Sequence, residues 1–279
     1  NLTNMLIKDF IHLSGYYLPF EYLELRSMMK SRKDVNYREE FAIGDIKVEL
    51  LNSGHIPGGA SVLIEASGKR LVYTSDFNAI ETRLLPAADR DYGEIDALII
   101  ESTYADEDHT PRPELEKRFI EEIINVIESG GTVLIPAFSV GRAQEILCIL
   151  AAHHFEYPVV MDGMAREASR IIMGHLDFIK DPKLFMKAVH LANWVEDWRD
   201  RREAAKRPGV IVSPAGMLKG GPAAFYIQTV GKKSNNAVFL VGYQIPGTPG
   251  RELLDKGHCI ICLLYTSDAA RRRRECRSR

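Results

Sequence analysis

Asp96-Ala97-Leu98-Ile99-Ile100-Glu101-Ser102-Thr103-Tyr104 is the stretch on which the fold turns. Its apolar half is a short continuous run of the kind that forms a strand buried on both faces, and it stops at a carboxylate followed by two hydroxyls. Strand interiors are apolar because they are buried, so an acid at a strand mouth marks a place where a sheet protein assembles a site. The chain also changes character at this point. Upstream, Asn1 to Lys33 reads as two helices, one with Leu2, Met5, Leu6, Phe10 and Ile11 on a face, the next with Tyr22, Leu23, Leu25, Met28 and Met29. An alternating strand, Ile46 to Leu50, runs into Asn52-Ser53-Gly54-His55. Ala60 to Ala66, a turn at Gly68-Lys69 and Leu71 to Tyr73 make a hairpin that ends at Thr74-Ser75-Asp76.

Downstream, strands alternate with helices. A helix from about Glu114 to Glu128 has apolar spacing at Leu115, Phe119, Ile123, Val126 and Ile127, and Gly130-Gly131 caps it. Thr132 to Pro136 is a buried strand and Gly141 to Ala152 a helix. Val159 to Met161 leads into Asp162-Gly163-Met164, and a helical region spans Glu167 to about His190. Val210 to Val212 precedes Ser213-Pro214-Ala215-Gly216, and Ala237 to Val241 precedes Gly242-Tyr243-Gln244. Such alternation predicts a mostly parallel sheet flanked by helices. The expected fold is α/β in two domains, residues 1–104 and 105–257, joined just after Glu101 to Tyr104.

The chain has 279 residues, an apolar fraction of 46% and a net charge of −2. That length and composition support a sizeable core. No stretch approaches the roughly 18 uninterrupted apolar residues of a membrane span, and the N-terminus lacks the pattern of a signal peptide, so the cytoplasm is the default and no membrane partner is expected. Four cysteines, Cys148, Cys259, Cys262 and Cys276, are too few for a disulfide framework. Cys259 and Cys262 have zinc-knuckle spacing, but no second pair follows. The last seventeen residues hold six Arg against Asp268 and Glu275, a local +4 that leaves −6 on the rest. A body so acidic excludes a broad nucleic-acid-binding face, so a polyanion would need a local cleft and metal cations.

Each polar motif has an ordinary reading. His55 could be a surface histidine in the glycine turn Ile56-Pro57-Gly58-Gly59, Asp76 an Asx-turn or helix cap, and Glu101 a capping acid beside Ser102-Thr103. The chemical reading is that imidazole binds zinc and that a carboxylate can bridge two cations, which makes hydroxide available near neutral pH. Shared position at strand mouths favours the second.

Taken together, these motifs resemble the metallo-β-lactamase superfamily, specifically its β-CASP branch of nucleases, and within it the archaeal-type homologues of the cleavage and polyadenylation specificity factor nuclease. Ser53-Gly54-His55 resembles that family's third motif, Ser75-Asp76 its fourth, and Glu101-Ser102-Thr103-Tyr104 the acidic motif that opens the β-CASP domain. The segments Gly141-Arg142-Ala143-Gln144-Glu145, Asp162-Gly163-Met164, Ser213 to Leu218 and Gly242-Tyr243-Gln244 are similar to parts of the β-CASP insert, and the likeness extends to about Gly257. The resemblance implies a partial αββα sandwich followed by a β-CASP domain, two zinc ions, and RNA phosphodiester hydrolysis. It implies that His55 binds one zinc, that Asp76 bridges both, and that Glu101 orients or helps protonate groups around the leaving oxygen. Ser213 and the Gly216 region could donate to phosphate oxygens, and Arg142 could pair with phosphate, though Gly141-Arg142 is equally an ordinary helix start. RNA is the implied partner, and homodimers are common in that branch.

The family's His-x-His-x-Asp-His motif and its two later histidine motifs are absent here, so this chain keeps only His55 and Asp76 of the ligand set and is expected to be inactive by itself. Residues 258–279 read as a basic RNA-binding arm or, in composition, as translated adapter read-through, and are set aside from the fold. Three other functions remain. A non-catalytic scaffold subunit would show a degenerate upstream motif. A small-molecule hydrolase is disfavoured by the large insert, and a DNA-directed nuclease of the same branch is discriminated by a matched-substrate assay.

Overall fold

The computed structural model describes residues 1–14 and 18–261, so Cys262 and the Arg-rich tail lie outside the described residues. Two helices open the chain, α1 (Leu2–Ser14) and α2 (Tyr22–Ser31), the second starting in a capping box between Glu21 and Glu24. Five strands follow in sheet order: β1 (Glu40–Ile43), β2 (Ile46–Asn52), β3 (Ala60–Ala66), β4 (Lys69–Tyr73) and β5 (Ala97–Ile99). The first three pairings are antiparallel and β4 with β5 is parallel. Ser67-Gly68 forms the two-residue hairpin loop between β3 and β4 with both φ positive, 51° and 71°, the geometry whose twist matches the flanking strands.

Alternation then sorts the side chains of this sheet. On one face Leu51, Leu63 and Val72 form a core with Tyr92 and Ile95. The other face carries two cross-strand rows, Val48, Ile64, Leu71 and Ala97, and Leu50, Val62, Tyr73 and Ile99. Apart from the buried Val48 these are only part-covered, with Tyr73 48% and Ile99 52% exposed. The stretch from Asp96 to Ile100 is therefore not a strand buried on both faces: Leu98, Ile99 and Ile100 are each about half exposed. β5 pairs only with β4 among the described residues, and a continuous apolar run does not distinguish a central strand from an edge.

The second sheet is wholly parallel, in the order β10 (Ala237–Val238), β6 (Thr132–Pro136), β9 (Gly209–Ser213), β7 (Val159–Met161), β8 (Ala192–Trp194). β6 and β9 lie in its interior, and every residue of both is buried. Helix α3 (Arg112–Glu128) precedes β6, and α4 (Arg142–Ala152) follows it, buried continuously from Ala143 to Ala151 with Gln144 and Glu145 included. The remaining helices are α5 (Met164–Met173), α6 (Pro182–Leu191), α7 (Trp198–Ala204), α8 (Gly221–Val230) and α9 (Pro249–Lys256). On one side of the sheet Leu134 and Ile211 pack with Ala223, Tyr226, Ile227 and Val230 of α8.

This is the α/β class that the strand and helix pattern predicts, with three local departures. The helical region expected from Glu167 to His190 is broken into α5, a single 3-10 turn at Leu176–Phe178, and α6, because Gly174 ends one helix and Pro182 starts the next. The buried stripe of α3 is Glu116, Ile120, Ile123 and Ile127, while Leu115 is 43% exposed. Glu116 can be buried because Arg112 and His153 hold its two oxygens, at 3.0 and 3.1 Å. The strand expected over Ala237 to Val241 is only two residues long.

The chain forms two compact units, Asn1–His109 with His175–Asp181, and Thr110–Gly174 with the residues from Pro182 onward. Seven residues thus leave the second unit and return to the first. There the Lys180 N–H donates to the Leu84 carbonyl at 2.9 Å, Phe178 meets the Tyr37 ring edge-on at 5.5 Å, and Ile179 is buried. Among the described residues no helix is long and apolar enough to cross a membrane.

Candidate functional site

β2, β4 and β5 run in one direction, with β3 antiparallel between the first two, so their C-terminal ends share one edge of the sheet. His55, Asp76 and Glu101 lie two or three residues beyond those ends. His55 Nε2 is 3.6 Å from Asp76 Oδ2, and both side chains are open to solvent. The loop carrying His55 is fixed by Asn52. The Asn52 side-chain carbonyl accepts from Gly54 N–H at 3.0 Å, and its amide donates to the Ala87 carbonyl at 3.1 Å. Its backbone N–H donates to Asp89 Oδ2 at 3.0 Å. Gly54 has φ +67°, and a Cβ there would sit 2.6 Å from both Ala88 N and Asn78 O, so the loop closes onto bare backbone. On the next strand end Ser75 takes φ +56°, a strained conformation for a residue with a side chain, immediately before Asp76. Tyr37, whose hydroxyl donates to the Gly59 carbonyl, has its pKa pushed up to about 12 by burial and by the Asp89 charge.

The Glu101 carboxylate is held by its own turn. Oε2 accepts from the Thr103 hydroxyl at 2.5 Å and from the Thr103 N–H at 2.9 Å. The Thr103 hydroxyl is the main reason its pKa falls below the ordinary 4.5. Backbone N–H groups of Thr103 and Phe77 and the nearby His55 add to the shift, and partial burial opposes it. A depressed carboxylate stabilises the fold above its unfolded pKa and loses that contribution as pH falls through the folded value. The carboxyl carbon of Glu101, followed by NMR, is therefore expected to titrate below 4.5, with the midpoint moving up in Thr103→Val and staying low in Thr103→Ser.

His55 and Asp76 offer zinc a nitrogen and an oxygen donor, and two bonds of about 2.1 Å can span their separation. They fit as one edge of a metal site. They do not form a complete one, because among the described residues no group of three or more His, Cys, Asp or Glu could hold a metal ion. In the second unit the expected phosphate contacts divide. Arg142 opens α4 and is exposed. Gly216 is buried, and its carbonyl accepts from Gln244 Nε2 at 3.1 Å. Ser213 is fully buried, its hydroxyl donating to the Pro214 carbonyl at 3.0 Å, so the O–H that a phosphate would need is turned inward.

Sequence reasoning missed Asn52, Thr103 and the partners of Asp162. Only the local turn pattern Glu101-x-Thr103 was there to point to Thr103. The fully buried Asp162 carboxylate takes both prongs of the Arg201 guanidinium at 2.6 and 2.8 Å and the Tyr226 hydroxyl at 2.8 Å. Arg201 in turn lies 4.6 Å from the centre of the Trp198 ring. Burial first, then the Asp162 charge, raises the Tyr226 pKa. The tether joins the end of β7 to α7 and α8.

Residues 143–253 match the Beta-Casp domain family. The chain is 44% identical over 257 residues to RNase aCSPSF2 of Saccharolobus solfataricus, covering 92% of this chain and 52% of that protein. It is 34% identical over 270 residues to the Probable RNase MJ4 of Methanocaldococcus jannaschii, covering 93% of this chain and 63% of that protein. With the transcription termination factor FttA of Pyrococcus horikoshii it shares 33% over 275 residues, 91% of this chain and 42% of that protein. The chain thus spans roughly half the length of the curated relatives it matches. A Beta-Casp match within the parallel-sheet unit and relatives aligned through both units agree with the strand-mouth motifs: the chain carries a Beta-Casp domain and is similar along most of its length to archaeal RNases and to a transcription termination factor.

Proposed function

We propose that this chain is part of a zinc-dependent ribonuclease that hydrolyses RNA phosphodiesters in 3′-end processing or decay, with residues 105–257 as its β-CASP domain. The observation that carries the reading is the convergence of His55, Asp76 and Glu101 on one sheet edge, with the first two 3.6 Å apart. His55 and Asp76 would hold one edge of a zinc site, and zinc bound there would supply charge neutralisation for the scissile phosphate and a source of nucleophile near neutral pH. Asp76, solvent-open just beyond the end of β4, would be the carboxylate shared between two cations. Glu101 is kept ionised by Thr103, so it acts as an acceptor that orients a water or hydroxyl proton and is a poor acid at neutral pH. Arg142 pairs with phosphate. Because His55 and Asp76 alone do not close a zinc site, the 279-residue chain by itself is expected to be inactive.

Two measurements test this. A gene product extended to the length of the relatives is expected to cut single-stranded RNA and to stop in chelator, while His55→Ala and Asp76→Asn each lower kcat by at least about 100-fold. Undiminished cutting in chelator sinks the metal mechanism. Preference for a matched DNA oligonucleotide moves the substrate to DNA.

A further inference from the structure

In the second unit the chain leaves β6 toward β7, in the direction of the β8 edge, and leaves the adjacent strand β9 toward β10, at the opposite edge. Each connection therefore passes across the other strand, and the loops that leave β6 and β9 at this shared C-terminal edge, the usual ligand position in parallel sheets, begin at Ala137 and Pro214.

One residue there breaks the burial pattern. From Gly131 to Gly141 every residue is buried except Phe138, which is 44% exposed. Its backbone is clamped on both sides. The Ala137 N–H donates to the Ser213 carbonyl at 3.0 Å, and the Phe138 carbonyl accepts from Ala143 N–H at 3.1 Å. The buried Gln144 holds the rest of the loop, accepting from Gly141 N–H at 2.8 Å and donating to the Ser139 carbonyl at 3.0 Å. The ring edge at Cδ2 and Cε2 lies along two glycines. A methyl on Gly216 would approach Cδ2 to 3.5 Å, and one on Gly242 would approach Cε2 to 3.4 Å. Those are ordinary packing distances, so the ring lies along the two glycines and stays half open to solvent. Arg142, exposed at the first position of α4, stands four residues along the same loop.

A half-exposed aromatic ring on a hydrogen-bonded loop that also carries an exposed arginine is equipment suited to stacking a base and following a backbone in single-stranded nucleic acid. We infer that Phe138 is a base-stacking residue at the C-terminal edge of β6, holding one nucleobase of a single-stranded RNA. The inference rests on the ribonuclease reading and deepens it, since it assigns a substrate contact to a residue with no polar atom in its side chain.

The test is binding of a fluorescein-labelled single-stranded RNA octamer to the 279-residue chain at fixed salt, read by anisotropy, with circular dichroism melts showing that each variant is folded. Phe138→Leu keeps an apolar side chain without a π face and is expected to weaken binding about 5- to 100-fold, the range of one lost base–aromatic stack. Phe138→Trp is expected to match or exceed the parent. An octamer carrying abasic positions is expected to bind weakly and to lose nothing further in Phe138→Leu. If the parent binds RNA and Phe138→Leu binds it equally well, stacking at Phe138 is overturned and the ribonuclease reading stands. If the parent chain binds no single-stranded RNA, both fall.

Discussion

Asp162→Ala is expected to destabilise the second unit by about 3–5 kcal/mol, the range seen when one partner of a buried ion pair is removed and the other charge stays behind. Arg201 has only 18% of its side chain exposed and Asp162 none, so the guanidinium left behind cannot recover its hydration without moving α7. The Tyr226 hydroxyl, fully buried, loses its acceptor as well. Urea denaturation of the chain, followed by the far-ultraviolet signal, measures the effect. Tyr226→Phe removes only one hydrogen bond to the carboxylate and is expected to cost about 1.5–3 kcal/mol at most. An Asp162→Ala variant within about 1 kcal/mol of the parent would show that the tether is dispensable.

Gly54→Ala is expected to cost about 2–4 kcal/mol, the sum of left-handed strain and the displacement of a backbone hydrogen bond. The added methyl meets Ala88 N and Asn78 O at 2.6 Å, and those two atoms are themselves hydrogen-bonded at 2.9 Å. Backbone cannot swing aside as a side chain can, so the Asn78–Ala88 loop separates from the loop that carries His55. Gly58→Ala is the matched control. Gly58 has φ +79° but open space around its Cα, so only the conformational penalty of about 1–2 kcal/mol applies. Thermal melts of the two variants isolate the clash as their difference, and equal melting temperatures would refute it.

Much of this was legible because periodicity reports burial. Thr132 to Pro136, Val159 to Met161 and Ala60 to Ala66 read as strands from their apolar runs, and the strands have those bounds. The acid and histidine at strand mouths were visible because they interrupt such runs. What stayed hidden depended on partners distant in sequence. β5 is a half-exposed strand with one strand neighbour among the described residues, which the apolar run of Leu98, Ile99 and Ile100 cannot encode. The burial of Glu116 depends on Arg112 and His153, and that of Asp162 on Arg201 and Tyr226. Ser213 looked like a donor because hydroxyls at strand ends often are; only the backbone path of Pro214 turns it inward.

The excursion of residues 175–181 has a consequence for how this polypeptide can be divided. A gene cut at the boundary between His109 and Thr110 leaves Phe178 and Ile179 on the wrong product, and leaves Tyr37, Glu81 and Leu84 without the residues that cover or bind them. The first unit is therefore not a contiguous module. Its synthesis is complete only after more than sixty residues of the second unit have been made, counting from Thr110 to Gly174. During translation the sheet that carries His55, Asp76 and Glu101 waits for its last seven residues, and a swap of either unit between relatives must carry that segment with the N-terminal half.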